Sequence, residues 1–67
     1  MSTIRYPAVR VRLTGNDGNA LAIVGAVSRA LQEAGIPRQD VDAFRTEAMS
    51  GDYTAVLRAA LSWVTVV

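Results

Sequence analysis

Val9-Arg10-Val11-Arg12-Leu13-Thr14-Gly15-Asn16-Asp17-Gly18-Asn19-Ala20 is the stretch that decides the fold. From Val9 to Leu13 it alternates apolar and cationic residues with period two, the pattern of a half-buried strand. Val9, Val11 and Leu13 are expected to face a core, and Arg10, Arg12 and Thr14 to face out. Thr14 to Asn19 is dense in Gly, Asn and Asp, which marks a turn. A helix follows at once. Asp17 or Asn19 is placed to cap it by accepting a backbone N–H bond.

Working outward from this stretch, the helix carries Ala20, Ile23, Val24, Val27, Ala30, Leu31 and Ala34 on one side, with Leu21 at the edge. Arg29, Gln32 and Glu33 lie opposite, so the helix is amphipathic. Gly35 suits a left-handed stop, with Ile36 folding back and Pro37 preventing continuation. Pro37 also suits the first turn of a second helix. That helix has an apolar stripe of Val41, Phe44 and Ala48, with Met49 at its end, and Asp40 and Asp42 near its positive N-terminal end. Ser50-Gly51 closes it. Asp52 then caps a third helix whose inward residues are expected to be Tyr53, Val56, Leu57, Ala60 and Leu61, with Arg58 off the stripe. After Trp63, Val64-Thr65-Val66-Val67 reads as a strand or as a fraying helix end. Upstream, residues 1–7 read as a leader of uncertain order.

The predicted architecture is a small single α+β domain over residues 1–67, β-α-α-α-β, with three helices packed on a two-stranded terminal ribbon. Antiparallel pairing of the ribbon is expected. A two-stranded ribbon is marginal alone, but helices on one face support it. Its two edges invite pairing with another chain.

The turn motif from Thr14 to Ala20, then Ser50-Gly51-Asp52-Tyr53, then Trp63-Val64-Thr65-Val66, resembles a group of short uncharacterised bacterial proteins found in plasmid, phage and other mobile-element settings. The resemblance covers residues 9–66. It implies a compact α+β fold and a bacterial origin, and it brings no activity and no catalytic residue.

Composition excludes much chemistry. Among 67 residues there are 7 Arg, no Lys, no His and no Cys. His general bases, Cys nucleophiles, Schiff-base Lys, thiolate zinc sites and disulfides are therefore impossible. The hydrophobic share is 51% and the mean hydropathy +0.22, so the chain is not a disordered tail. A domain this small buries only roughly 60% of its unfolded surface and usually needs a staple. With covalent staples excluded, good helix packing or association with another chain remains. The net charge of +1 gives no sign of a broad basic face. The best apolar run, Ala20 to Val27, is far below the ~20 residues of a membrane span. Residues 1–9 lack a signal-peptide core, and a cytoplasmic location is expected.

Each motif has a plain structural explanation beside a functional one. The loop from Gly15 to Asn19 precedes a helix N-terminus, where anions bind, but it lacks the P-loop Lys, and its two glycines fall short of a dinucleotide fingerprint. Nor does it end in the bidentate Glu of a calcium loop. It reads as a turn and cap, and no cofactor or metal is expected. Arg10 and Arg12, with Arg5 nearby, form a candidate basic stripe for nucleic acid, or an ordinary solvated and edge-protecting face. Gly18, Ala22, Gly25, Ala26 and Arg29 line the side of the first helix away from its core stripe. Gly25 there costs on the order of 1 kcal/mol relative to Ala, so either a neighbouring helix or another chain is expected to approach closely. Trp63, Tyr53 and Phe44 are expected in the core. Asp17, Glu33, Asp40, Asp42, Glu47 and Asp52 are explained as caps and exposed charges, and room for a cleft above ~300 Å³ is not expected.

The sequence thus points to a non-enzymatic protein-interaction module that binds itself or another protein. Its candidate interface is Ala22, Gly25, Ala26 and Arg29. The alternative is an accessory nucleic-acid binder using Arg5, Arg10 and Arg12. No small-molecule substrate and no membrane contact are expected.

Overall fold

A computed structural model of the chain describes residues 4–12 and 19–67. The elements run β1 (Tyr6–Val11), α1 (Ala20–Glu33), α2 (Arg38–Ala48), α3 (Tyr53–Trp63) and β2 (Val64–Val66). The protein is a small α+β domain: a two-stranded sheet with three helices.

The sheet departs from expectation in direction. β1 and β2 are parallel, not antiparallel. Three helices separate them. A parallel pair cannot be closed by a tight hairpin and needs a long crossover, which the three helices supply. The strand also starts earlier than its alternating stretch, at Tyr6, so Tyr6 and Pro7 belong to β1. Pro7 has no N–H for the ladder, which confines it to an edge or a bulge. The register jumps there: Tyr6 stands opposite Val64, yet Arg10 stands opposite the next residue, Thr65. The Thr65 hydroxyl bridges the irregularity by donating to the Pro7 carbonyl at 2.7 Å. Val9 and Val11 are buried as expected, with Arg10 and Arg12 exposed. The expectations for Leu13, Thr14 and the loop through Gly18, Asp17 included, lie outside the described residues.

Local signals set the helix ends. Asn19 caps α1, its side-chain oxygen accepting from the N–H groups of Leu21 (3.1 Å) and Ala22 (3.3 Å). Gly35, at φ 81°, closes α1. Its N–H donates to Gln32 O and that of Ile36 to Leu31 O, both at 3.0 Å, the paired bonds of a glycine helix stop. Pro37 sits just outside α2, in extended conformation, rather than in its first turn. Asp52 caps α3 by accepting from the Ala55 N–H at 3.2 Å.

The core centres on Trp63, which is 3% exposed. Phe44 of α2 meets it edge-on at 5.7 Å between ring centroids, and Tyr6 of β1 lies tilted at 6.0 Å. One indole therefore ties β1, α2 and α3 together. It also turns α3. Val56, Ala59, Ala60 and Trp63 face inward, whereas Tyr53 and Leu61, expected inside, are exposed. The alanine pair lets neighbouring elements approach closely, and burying the large Trp at the helix end rotates the Tyr53–Leu61 flank outward. Leu21 and Met49, at the margins of their stripes, are exposed too, as is Ala34. Ser28 of α1 is buried, and its hydroxyl has no hydrogen-bond partner among the described residues.

Candidate interaction surface

The three arginines of the basic stripe do not form one surface. Arg10 of β1 and Arg12, just past its end, are both exposed. Arg5 is elsewhere. Its N–H donates to Ser62 O at 3.0 Å, and its guanidinium lies 4.4 Å from the centre of a Trp63 ring. That cation–π contact assigns Arg5 to covering the core tryptophan. Tyr6, the aromatic nearest the stripe, is also engaged: its hydroxyl donates to Asp40 at 2.5 Å. This hydrogen bond, more than the partial burial and the Asp40 charge, raises the Tyr6 pKa above its ordinary value.

The small-residue side of α1 is narrower than its sequence suggests. Ala22 and Ala26 are half-buried, and Ala26 packs against the core. Gly25 and Arg29 are exposed. A Cβ added at Gly25 would meet no atom of the described residues within 4 Å. The explanation that a helix of the same chain packs on Gly25 is therefore excluded. Among the described residues, the glycine carries its helix cost with no intramolecular contact in return.

Two depressions mark the helical side, and only the larger exceeds the ~300 Å³ for which no room was expected. The larger is an open groove of about 420 Å³ between the end of α1 and α2, lined by Gln32, Ile36, Arg38, Asp42 and Arg45. The smaller, about 250 Å³, lies between α2 and α3 and includes Glu47, Ser50, Arg58 and Ser62. Among the described residues no three metal-ligating side chains cluster, and no helix is long and apolar enough to cross a membrane. Three of the five described acids have local partners: Asp52 caps α3, Asp40 holds Tyr6, and Asp42 lies 3.9 Å from Arg38.

The sheet is the other exposed feature. Pro7, Ala8 and Arg10 of β1 are exposed, and among the described residues each strand pairs on one side only. The two free edges differ. The β1 segment carries Pro7, Arg10 and the following Arg12, the residues that natural edge strands use against unwanted pairing. The β2 segment reads Val64-Thr65-Val66-Val67, with no charge, no Pro and no Gly, and Val67 is 55% exposed.

Comparison of the chain with protein-family models, curated proteins and solved structures finds no match. The resemblance carried by the turn motifs therefore contributes no activity, cofactor or site residue to the reading of these surfaces.

Proposed function

We propose that this protein is a small protein-interaction module that associates through its terminal sheet, with a second copy of itself as the first partner. The observation that carries the reading is the uncovered parallel strand pair. Parallel sheets occur almost only where both faces are covered, and a two-stranded sheet is marginal by itself. Here helices cover one face, and the uncharged β2 edge has no pairing strand among the described residues. Pairing β2 edges across a two-fold axis would give a four-stranded sheet and bury Val67. The nucleic-acid alternative draws less support, because Arg5 is committed to Trp63 and leaves only Arg10 and Arg12 on the strand face.

Sedimentation equilibrium across a concentration series tests the proposal. The wild type is expected to rise above its monomer mass of 7.1 kDa. Val67→Lys, which places a charge at the exposed edge, is expected to shift it back toward monomer. A wild type that stays monomeric at every concentration, with a cooperative unfolding transition, removes self-association.

A further inference from the structure

The groove between α1 and α2 lies apart from the sheet edge and has its own chemistry. Its α2 wall is Arg38, Asp42 and Arg45. Positions i, i+4 and i+7 form one ridge, with the two arginines about 10 Å apart along the axis. The ridge reads plus, minus, plus. Little of that charge is neutralised within the chain. Arg38 reaches Asp42 only at 3.9 Å with its side chain 94% exposed, and no ion pair to Arg45 is formed among the described residues. The opposite wall is Gln32, with half-buried Ile36 between the helices. Gly25 stands two turns before Gln32, and Leu21 a further turn back, on the same ridge of α1. Gly25 is open and Leu21 is 68% exposed.

We infer that this groove docks an amphipathic helix of a partner protein whose charges read minus, plus, minus. The trough between two helices accepts the ridge of a third. Two carboxylates separated by two helical turns meet Arg38 and Arg45, whose planar guanidiniums suit carboxylates. A cation between them meets Asp42. Apolar side chains of the partner rest on Ile36 and Leu21, and the bare backbone at Gly25 allows close approach. Asp42 decides between ligand classes: a run of phosphates would bring negative charge onto it, whereas a patterned peptide satisfies all three residues. The partner's class rests on the reading of this chain as an interaction module; the site does not depend on the sheet edge.

The test uses the full chain, labelled with ¹⁵N, and two alanine-rich helical peptides. One carries Glu, Lys and Glu at the matching spacing; the other carries Lys, Glu and Lys. The first is expected to move the amides of Gly25, Gln32, Ile36, Arg38 and Arg45, and to bind more tightly than the second. The triple variant Arg38→Glu, Asp42→Lys, Arg45→Glu is expected to invert that preference, losing about tenfold for the first peptide, because like-charge juxtaposition penalises the wrong partner. Its three positions are exposed, and circular dichroism checks that it folds. Equal binding of both peptides overturns the inference. So do shifts confined to another surface, or equal shifts of these amides with inorganic phosphate. Sedimentation of the wild type without peptide reads the sheet edge separately, so failure of either idea leaves the other distinguishable.

Discussion

Gly25→Ala is expected to make the monomer more stable, not less. Glycine in a helix interior is about 0.8–1.0 kcal/mol less favourable than alanine, because its backbone loses more freedom on folding. At most positions this gain is uncertain, since the new methyl group can clash. Here the added Cβ meets nothing within 4 Å among the described residues, and the position is exposed in the middle of α1. No packing penalty offsets the propensity term, and no burial adds to it. The net gain is therefore about 0.8–1 kcal/mol. For a domain of this size that corresponds to a rise in Tm of about 4–8 °C. Urea unfolding followed by far-UV circular dichroism measures it, at concentrations low enough that association adds nothing by mass action. A variant less stable than the wild type would show that another group occupies the space at Gly25 in solution, and the open-surface reading of α1 would be wrong. A more stable variant that also loses peptide binding or association would identify what the glycine is kept for.

Four further outcomes follow from the geometry. Asp52→Ala removes the acceptor for the Ala55 N–H and is expected to cost about 1 kcal/mol in a urea titration. Gly35→Val forces a β-branched residue to φ 81° and is expected to cost more than about 1 kcal/mol, read as a lower thermal midpoint with helix content retained. Ser28→Ala deletes a buried hydroxyl that has no partner among the described residues, so it is expected to leave stability unchanged or raise it by up to about 1 kcal/mol; a marked loss would reveal a hydrogen bond to that hydroxyl. Tyr6→Phe bears on alkaline stability. The folded-state pKa of Tyr6 is raised above its ordinary value of 10.0, so its stabilising effect is full below pH 10.0 and is lost as pH rises toward the folded value. The stability difference between wild type and Tyr6→Phe is expected to narrow above pH 10.0, and a constant difference would contradict the Asp40 hydrogen bond.

What the sequence made legible is what the chain decides within one or two turns. Asn19, Gly35 and Asp52 act on amides or carbonyls a few residues away, so these three helix ends could be read from their own neighbourhoods. The period-two burial of Val9 and Val11 is equally local. Strand direction is not, because it depends on how three intervening helices return the chain between two distant segments. Nor is the rotation of α3. A helical wheel weighs Leu61 above Ala59 by hydrophobicity, yet the buried Trp63 and the close approach at Ala59 and Ala60 turn Leu61 outward. Ser28 reads as a surface residue by type and is enclosed by position.

The same distinction applies to the surfaces. Arginines near one another in sequence share a face of a strand only at even spacing, and Arg5, an odd five residues before Arg10 and outside β1, is held at Ser62 and Trp63. The groove was hidden for the opposite reason: Gln32 and Ile36 come from the end of α1 and the turn after it, Arg38, Asp42 and Arg45 from the next helix, and no single periodicity contains all five. Gly25 lay between these cases. Its cost was readable from helix propensity alone, but its cause required knowing that no helix of the same chain packs on it. Once that explanation is removed, either selection tolerates the loss or an approaching chain offsets it. The two alternatives differ in a measurable way, because only the second predicts that filling Gly25 strengthens the fold while weakening a complex.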